Sequence, residues 1–119
     1  MEDAVTLAQR SCQPCRGATD RMDTKEREIL LKAVPDWSVR EEDGTEQLRR
    51  SFGVGSYREG LAFVRAVAEL AESEDHHPRL ILEWGKVTVD WWTHTLGGLH
   101  LNDFILAARC DELYGRGKR

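Results

Sequence analysis

The residues RLILEWGKVTVDWWTH, Arg79 to His94, constrain this chain more than any other stretch. They form two runs rich in β-branched and aromatic residues, hinged at a single glycine, Gly85. Strand-forming runs this close in sequence pair with each other as an antiparallel hairpin. Glycine at the first central position of a two-residue turn suits type II′ geometry, so Gly85 and Lys86 are read as the turn. Paired residues in a hairpin keep one constant sum of numbers. A turn centred there sets His77 opposite His94 if pairing extends past Pro78, with Cβ atoms about 4.5–5.5 Å apart. A slip of one residue makes the pair diagonal. His76 lies next door, so three imidazoles are predicted to meet at one end of the hairpin.

The rest of the chain supplies partners for that hairpin. Asp23 followed by Glu26 has the capping-box spacing, and Ile29, Leu30, Ala33 and Val34 form a short apolar face that ends at Pro35. WSVRE (37–41) and EQLRRSFGV (46–54) read as two strands around the turn EDGT. Ser56 with Glu59 opens a second helix that runs to about Glu74. Its apolar positions Leu61, Val64, Val67, Ala68 and Ala71 are helix-spaced, and Phe63, Ala66 and Leu70 widen the stripe. LNDFILAARCDELY (101–114) is a last amphipathic helix carrying Cys110 as a small buried residue. The order α-β-β-α-β-β-α implies an α+β fold, a four-stranded antiparallel sheet with helices packed on one face. Residues 1–22 are read as a loosely ordered N-terminal arm and residues 23–119 as a single domain.

Composition narrows the function. A chain of 119 residues fits one domain, and a net charge of −4 argues against a dedicated nucleic-acid binder. The basic ending GRGKR reads as a solvated tail. The N-terminus begins with acids and lacks a signal-peptide core, and no apolar run approaches the ~20 residues of a membrane span. Three cysteines, an odd number, fit a reducing compartment, so the expected location is the cytoplasm.

The histidines carry the chemistry. The imidazole titrates near neutral pH, and two at one site can act as acid and base in one turnover. Glu72, Glu74 and Asp75 nearby favour a protonated ring. Against this stands a bland reading, in which His76 and His77 only complement the dipole at a helix C-terminus. A zinc site built from His76, His77, His94 and an acid is a sharper rival, opposed by the divergence of adjacent side chains. CQPC (12–15) is half of a structural zinc site, and GVGSYREG lacks the GK[ST] ending of a phosphate loop. Trp84, Trp91 and Trp92 suit packing or stacking on a planar ligand, and Trp92 shares parity with His94.

Glu72 with HHP at 76–78, Trp84, Thr93-His94, and Gly98-Leu99 followed by Asp103 resemble the pterin-4a-carbinolamine dehydratase family, also called 4a-hydroxytetrahydrobiopterin dehydratases. VPDWSV, AFVRAVAELAE, VTV and GLHLNDFILAA stand in the family's order and spacing. The resemblance implies an α+β sandwich that forms homodimers or homotetramers. The implied activity is dehydration of a 4a-hydroxytetrahydropterin to the quinonoid dihydropterin, recycling the cofactor of aromatic amino-acid hydroxylases. Neither a metal nor an organic cofactor is implied. The family's catalytic histidines carry over onto His76, His77 and His94, its acidic helix residue onto Glu72 and its late aspartate onto Asp103. Asp75, Trp92 and Thr93 complete the expected substrate-binding set. Some members also partner a transcription factor, a role that would use the apolar face of helix 60–74. Arg79-Leu80 departs from the acid and aromatic of some members, and His100 replaces a Ser or Thr, which is expected to weaken the cap of the last helix.

Overall fold

The computed structural model describes residues 7–9 and 22–117. The CQPC motif lies outside them. The principal elements run α1 (Thr24–Ala33), β1 (Ser38–Glu42), β2 (Thr45–Gly53), α2 (Tyr57–Glu74), β3 (Arg79–Glu83), β4 (Lys86–Trp91) and α3 (Leu101–Gly117). The four strands form one antiparallel sheet in the order β1-β2-β4-β3, with the helices on one face, the architecture expected.

Local chemistry sets the element ends. The Asp23 carboxylate accepts from the Glu26 amide at 2.8 Å and starts α1. At α2 the Ser56 hydroxyl accepts from the Glu59 amide at 3.1 Å, but the Glu59 carboxylate reaches the amide of Gly55 rather than that of Ser56. Asp43 and Gly44 both have positive φ, 52° and 80°, which suits the primed turn between β1 and β2.

Two expectations are corrected, the first only in part. Of the apolar stripe expected on α2, Phe63, Val67 and Ala71 are buried together with Gly60, while Leu61 is 55% exposed. The apolar positions outline two overlapping stripes, and the glycine selects between them. A Cβ on Gly60 would stand 2.8 Å from the Leu82 side chain, so its absence lets α2 settle onto the sheet. The second correction is the hairpin register. Pairs run from Arg79↔Asp90 to Glu83↔Lys86, so the turn centres on Trp84-Gly85, with Gly85 at φ 87° in the second central position. That is the geometry of a type II turn, not type II′. Strand β4 ends at Trp91, Thr93 bridges to Gly98, and His77 is not opposite His94. Continued pairing would set His77 across from Trp92.

The core lies between sheet and helices. Leu48, Phe52, Val87, Val89 and Trp91 from the sheet meet Phe63 and Val67 of α2 and Phe104, Ile105 and Ala108 of α3. Leu7 and Ala8 belong to the same core. Cys110 is fully buried there, and burial pushes its thiol up to about 12, which leaves it unreactive.

Candidate active site

The end of α2 determines where the two adjacent histidines go. Asp75 closes the helix in the left-handed region, φ 49° and ψ 45°, with its amide bonded to the carbonyls of Ala71 and Glu72. The His76 amide also reaches the Ala71 carbonyl, at 3.1 Å. After this reversal His76 turns inward, with a side chain 10% exposed, and His77 turns outward, 53% exposed.

His76 meets a buried carboxylate. Its Nε2 lies 2.7 Å from Asp103 Oδ1, and the Asp103 side chain is wholly buried. The other oxygen, Oδ2, accepts from the Thr93 hydroxyl and from the His100 amide, both at 2.9 Å. One carboxylate thus joins the end of α2, the segment after β4 and the first turn of α3. Asp103 is the third residue of that helix, where a negative charge is favoured and a side chain can reach back to the capping amide. His100 nonetheless keeps a capping acceptor in place. Its Nδ1 accepts from the Asn102 amide at 3.1 Å, so the imidazole takes the place of the hydroxyl.

The outer half of the site is open. His77 Nε2 lies 2.6 Å from Glu72 Oε1 on a side chain 79% exposed. His94 Nε2 donates to the His77 carbonyl at 3.3 Å. The His94 and His77 segments therefore do meet, through a backbone carbonyl rather than a cross-strand pair. The two tryptophans separate as their parity requires. Trp91 stacks on His76 with centroids 5.8 Å apart, and Trp92 packs on His94 at 4.7 Å. All three catalytic candidates use Nε2 toward a protein acceptor, which leaves Nδ1 of each for another partner.

The structure thus links His76, Thr93 and Asp103 in one network and His77, His94, Glu72 and Trp92 in a second beside it. Asp75 shapes the turn through its backbone, and among the described residues no side-chain hydrogen bond ties it to a histidine. Among those residues no three His, Cys, Asp or Glu side chains are placed to hold one ion, because the neighbouring rings diverge. A cavity of about 520 Å³ lies at the other end of the sheet, lined by Val54, Phe63, Leu113 and Tyr114, and contains none of the histidines. The histidine site is defined by its side-chain chemistry. Sequence reasoning missed the His100 cap and the ion pairs of Arg79 with Glu42 and Asp90. Opposite charges at directly paired positions 79 and 90 are the signal for the second, legible only in the correct register.

A fold of this kind with a histidine–carboxylate cluster at one sheet end defines a class, and comparison with known proteins gives its name. Residues 20–113 match the family model described as pterin 4 alpha carbinolamine dehydratase. A protein of Marinobacter nauticus named "Putative pterin-4-alpha-carbinolamine dehydratase" is 52% identical over 91% of this chain and 97% of its own. A protein of Saccharophagus degradans with the same name is 47% identical over 91% and 96%. Among solved structures, a transcriptional coactivator/pterin dehydratase from Brucella melitensis superposes with a TM-score of 0.71 and 28% identity, over 80% of this chain and 99% of that one. A pterin dehydratase-like protein identified as a RuBisCO assembly factor in the alpha-carboxysome superposes at 0.58, also with 28% identity, over 67% and 90%. The chain belongs to the pterin-4-alpha-carbinolamine dehydratase family.

Proposed function

We propose that this protein is a hydro-lyase that converts a 4a-hydroxytetrahydropterin into the quinonoid dihydropterin and water. The observation that carries the reading is the contact of His94 with the His77 carbonyl beside a His76 locked on buried Asp103. Dehydration needs one proton delivered to the departing C4a hydroxyl and one taken from N5. His77 suits the donor, because Glu72 supplies a counter-charge for its imidazolium form. His94 suits the acceptor, because Nε2–H is engaged with a neutral carbonyl and Nδ1 keeps a lone pair. The turnover moves one proton from His77 to His94 through the substrate, and solvent resets both rings. His76 holds the hydroxyl, Thr93 and Asp103 fix His76, Glu72 steers His77, Asp75 shapes the turn that presents them, and Trp92 gives the flat heterocycle a wall. The same reading makes the protein a cytoplasmic homodimer or homotetramer that regenerates the pterin of an aromatic amino-acid hydroxylase.

The test follows quinonoid dihydropterin formation by absorbance with wild type, H77A and H94A. Each variant is expected to lose about 10²-fold or more in kcat. Unchanged rates in both would overturn the assignment. A second reading, a partner-binding module, draws on the coactivator and assembly-factor names of the two structural relatives and on the exposure of Leu61 and Tyr57 on α2. If H77A loses dehydration yet still binds a partner protein, the two roles are separate.

A further inference from the structure

The face of the sheet that carries no helix bears a buried charge. Asp90 alternates with the core residues Val89 and Trp91, and its side chain is fully buried. Arg49, directly paired with it on β2, holds both carboxylate oxygens, at 2.6 and 2.8 Å. Arg79, directly paired with it on β3, donates through Nε at 3.1 Å. The same guanidinium continues to Gln47 on β2 at 3.3 Å and to Glu42 on β1 at 2.8 Å. A polar belt therefore crosses all four strands at the end of the sheet where the histidines stand. Burial alone would push the Asp90 carboxyl up, but the hydrogen bonds of Arg49 and then Arg79 outweigh it and hold it below the usual carboxylate range.

The belt also touches the site. The Arg79 guanidinium sits 5.7 Å from the centroid of the Trp92 ring, within the range of a cation–π contact, and Trp92 packs on His94 at 4.7 Å. Arg49 grips the same aspartate, and no ring contact joins it to Trp92 among the described residues. Trp92 lies beyond the end of β4, where no ladder hydrogen bonds fix it. A half-buried indole there needs another restraint to keep one orientation.

We infer that Arg79 is a positioning residue. Anchored by Asp90 and Glu42, its guanidinium fixes the Trp92 indole, and the indole fixes the His94 ring and the wall against which the substrate lies. The consequence for catalysis rests on the dehydratase reading; the positioning itself does not. Arg79 touches neither reacting atom and acts through Trp92.

The experiment compares R79M with R49M in the full-length protein. Methionine keeps much of the apolar stem of each arginine and removes the guanidinium. The indole N–H signals of the four tryptophans, assigned by single Trp→Phe changes, and the ring C–H signals of His94 are recorded by NMR without substrate. R79M is expected to move the Trp92 and His94 signals and leave Trp37 in place, while R49M leaves all three. In turnover, R79M is expected to lower kcat/KM about tenfold, mainly through KM, with R79K intermediate and R49M within about twofold of wild type. Unmoved Trp92 and His94 signals in R79M, or equal shifts in R49M, overturn the inference. If R79M does not fold, R79K carries the same comparison, since lysine keeps a cation but cannot span Asp90 and Glu42 together. A wild type without dehydratase activity would sink the functional reading, and the substrate-free spectra would still decide the positioning.

Discussion

His76 and His77 are adjacent, and each places Nε2 on a carboxylate, yet their surroundings are opposite. The His76–Asp103 pair has side chains 10% and 0% exposed, whereas His77–Glu72 stands at 53% and 79%. Buried, a carboxylate with three donors is a junction, and removing it leaves each donor unpaired in a poorly solvated place. Exposed, a pair of similar length gains little net energy, because water competes for both partners. The difference assigns separate work. The inner histidine is held in one orientation, and the outer one is open to solvent, as the proposed proton donor needs to be.

The largest effect that tests this contrast is expected from D103A. The His76 ring, the Thr93 hydroxyl and the His100 amide lose their acceptor together. Stability should fall by about 3 kcal/mol in urea unfolding, and turnover by 10²-fold or more, following about 1–3 kcal/mol for each orphaned buried donor. A loss under about 0.5 kcal/mol would show that Asp103 is no junction, and the contrast would collapse.

Asp90 lies between the extremes, since it is fully buried while its arginine partners are about one-third exposed. D90N should cost about 2 kcal/mol at pH 7, below the value for a fully buried pair because solvent screens the guanidinium groups. The folded carboxyl ionises at a lower pH than in the unfolded chain, so its stabilisation is complete above the ordinary aspartate value of 3.8 and is lost as pH falls through the folded value. The gap between wild type and D90N, measured by unfolding across pH 7 to 3, should therefore be constant at the upper end and close at the lower. A gap that widens on acidification would reverse the assigned sign.

The cap sharpens the comparison from another side. H100A removes the acceptor for the Asn102 amide and leaves the His100 amide on Asp103, so it tests the cap apart from the junction. A loss of about 1 kcal/mol is expected, with H100S restoring most of it, as serine is a favoured cap. An equal loss in H100S would mean that the ring acts by packing.

How much of this was legible beforehand differs by scale. The alternation of helix and strand periods determines the order of elements, and the caps at Asp23 and Ser56 are local chemistry that tertiary contacts leave in place. The hairpin register is not local. Gly85 can serve either central position of a two-residue turn, and the core packing of Val87, Val89 and Trp91 against α2 and α3 selects between them. The same limit applies to the histidines. Their presence at one sheet end follows from chain order, but the inward turn of His76 depends on the left-handed Asp75 and on an aspartate 27 residues later. Arg79 departs from the pattern of some family members, and its contacts with Asp90 and Trp92 exist only once the fold brings β4 and the segment after it alongside.

The smallest effect on stability, and the finest test of the contrast, is E72Q. Glutamine keeps the length and an acceptor oxygen while removing the charge. Because both partners are exposed, unfolding free energy should change by less than about 0.5 kcal/mol. Activity should respond more, falling about threefold to tenfold, since the lost charge faces the ring proposed to deliver the proton. That deficit is electrostatic across a wet surface, so it should shrink as ionic strength rises from about 0.01 to 1 M and the Debye length contracts from about 30 to 3 Å. Wild type and E72Q should converge in kcat at high salt, and wild type and D103A should not, because the inner carboxylate is screened by protein and not by ions. Convergence in both cases, or in neither, would remove the distinction between the two histidines on which the assignment of acid and anchor depends.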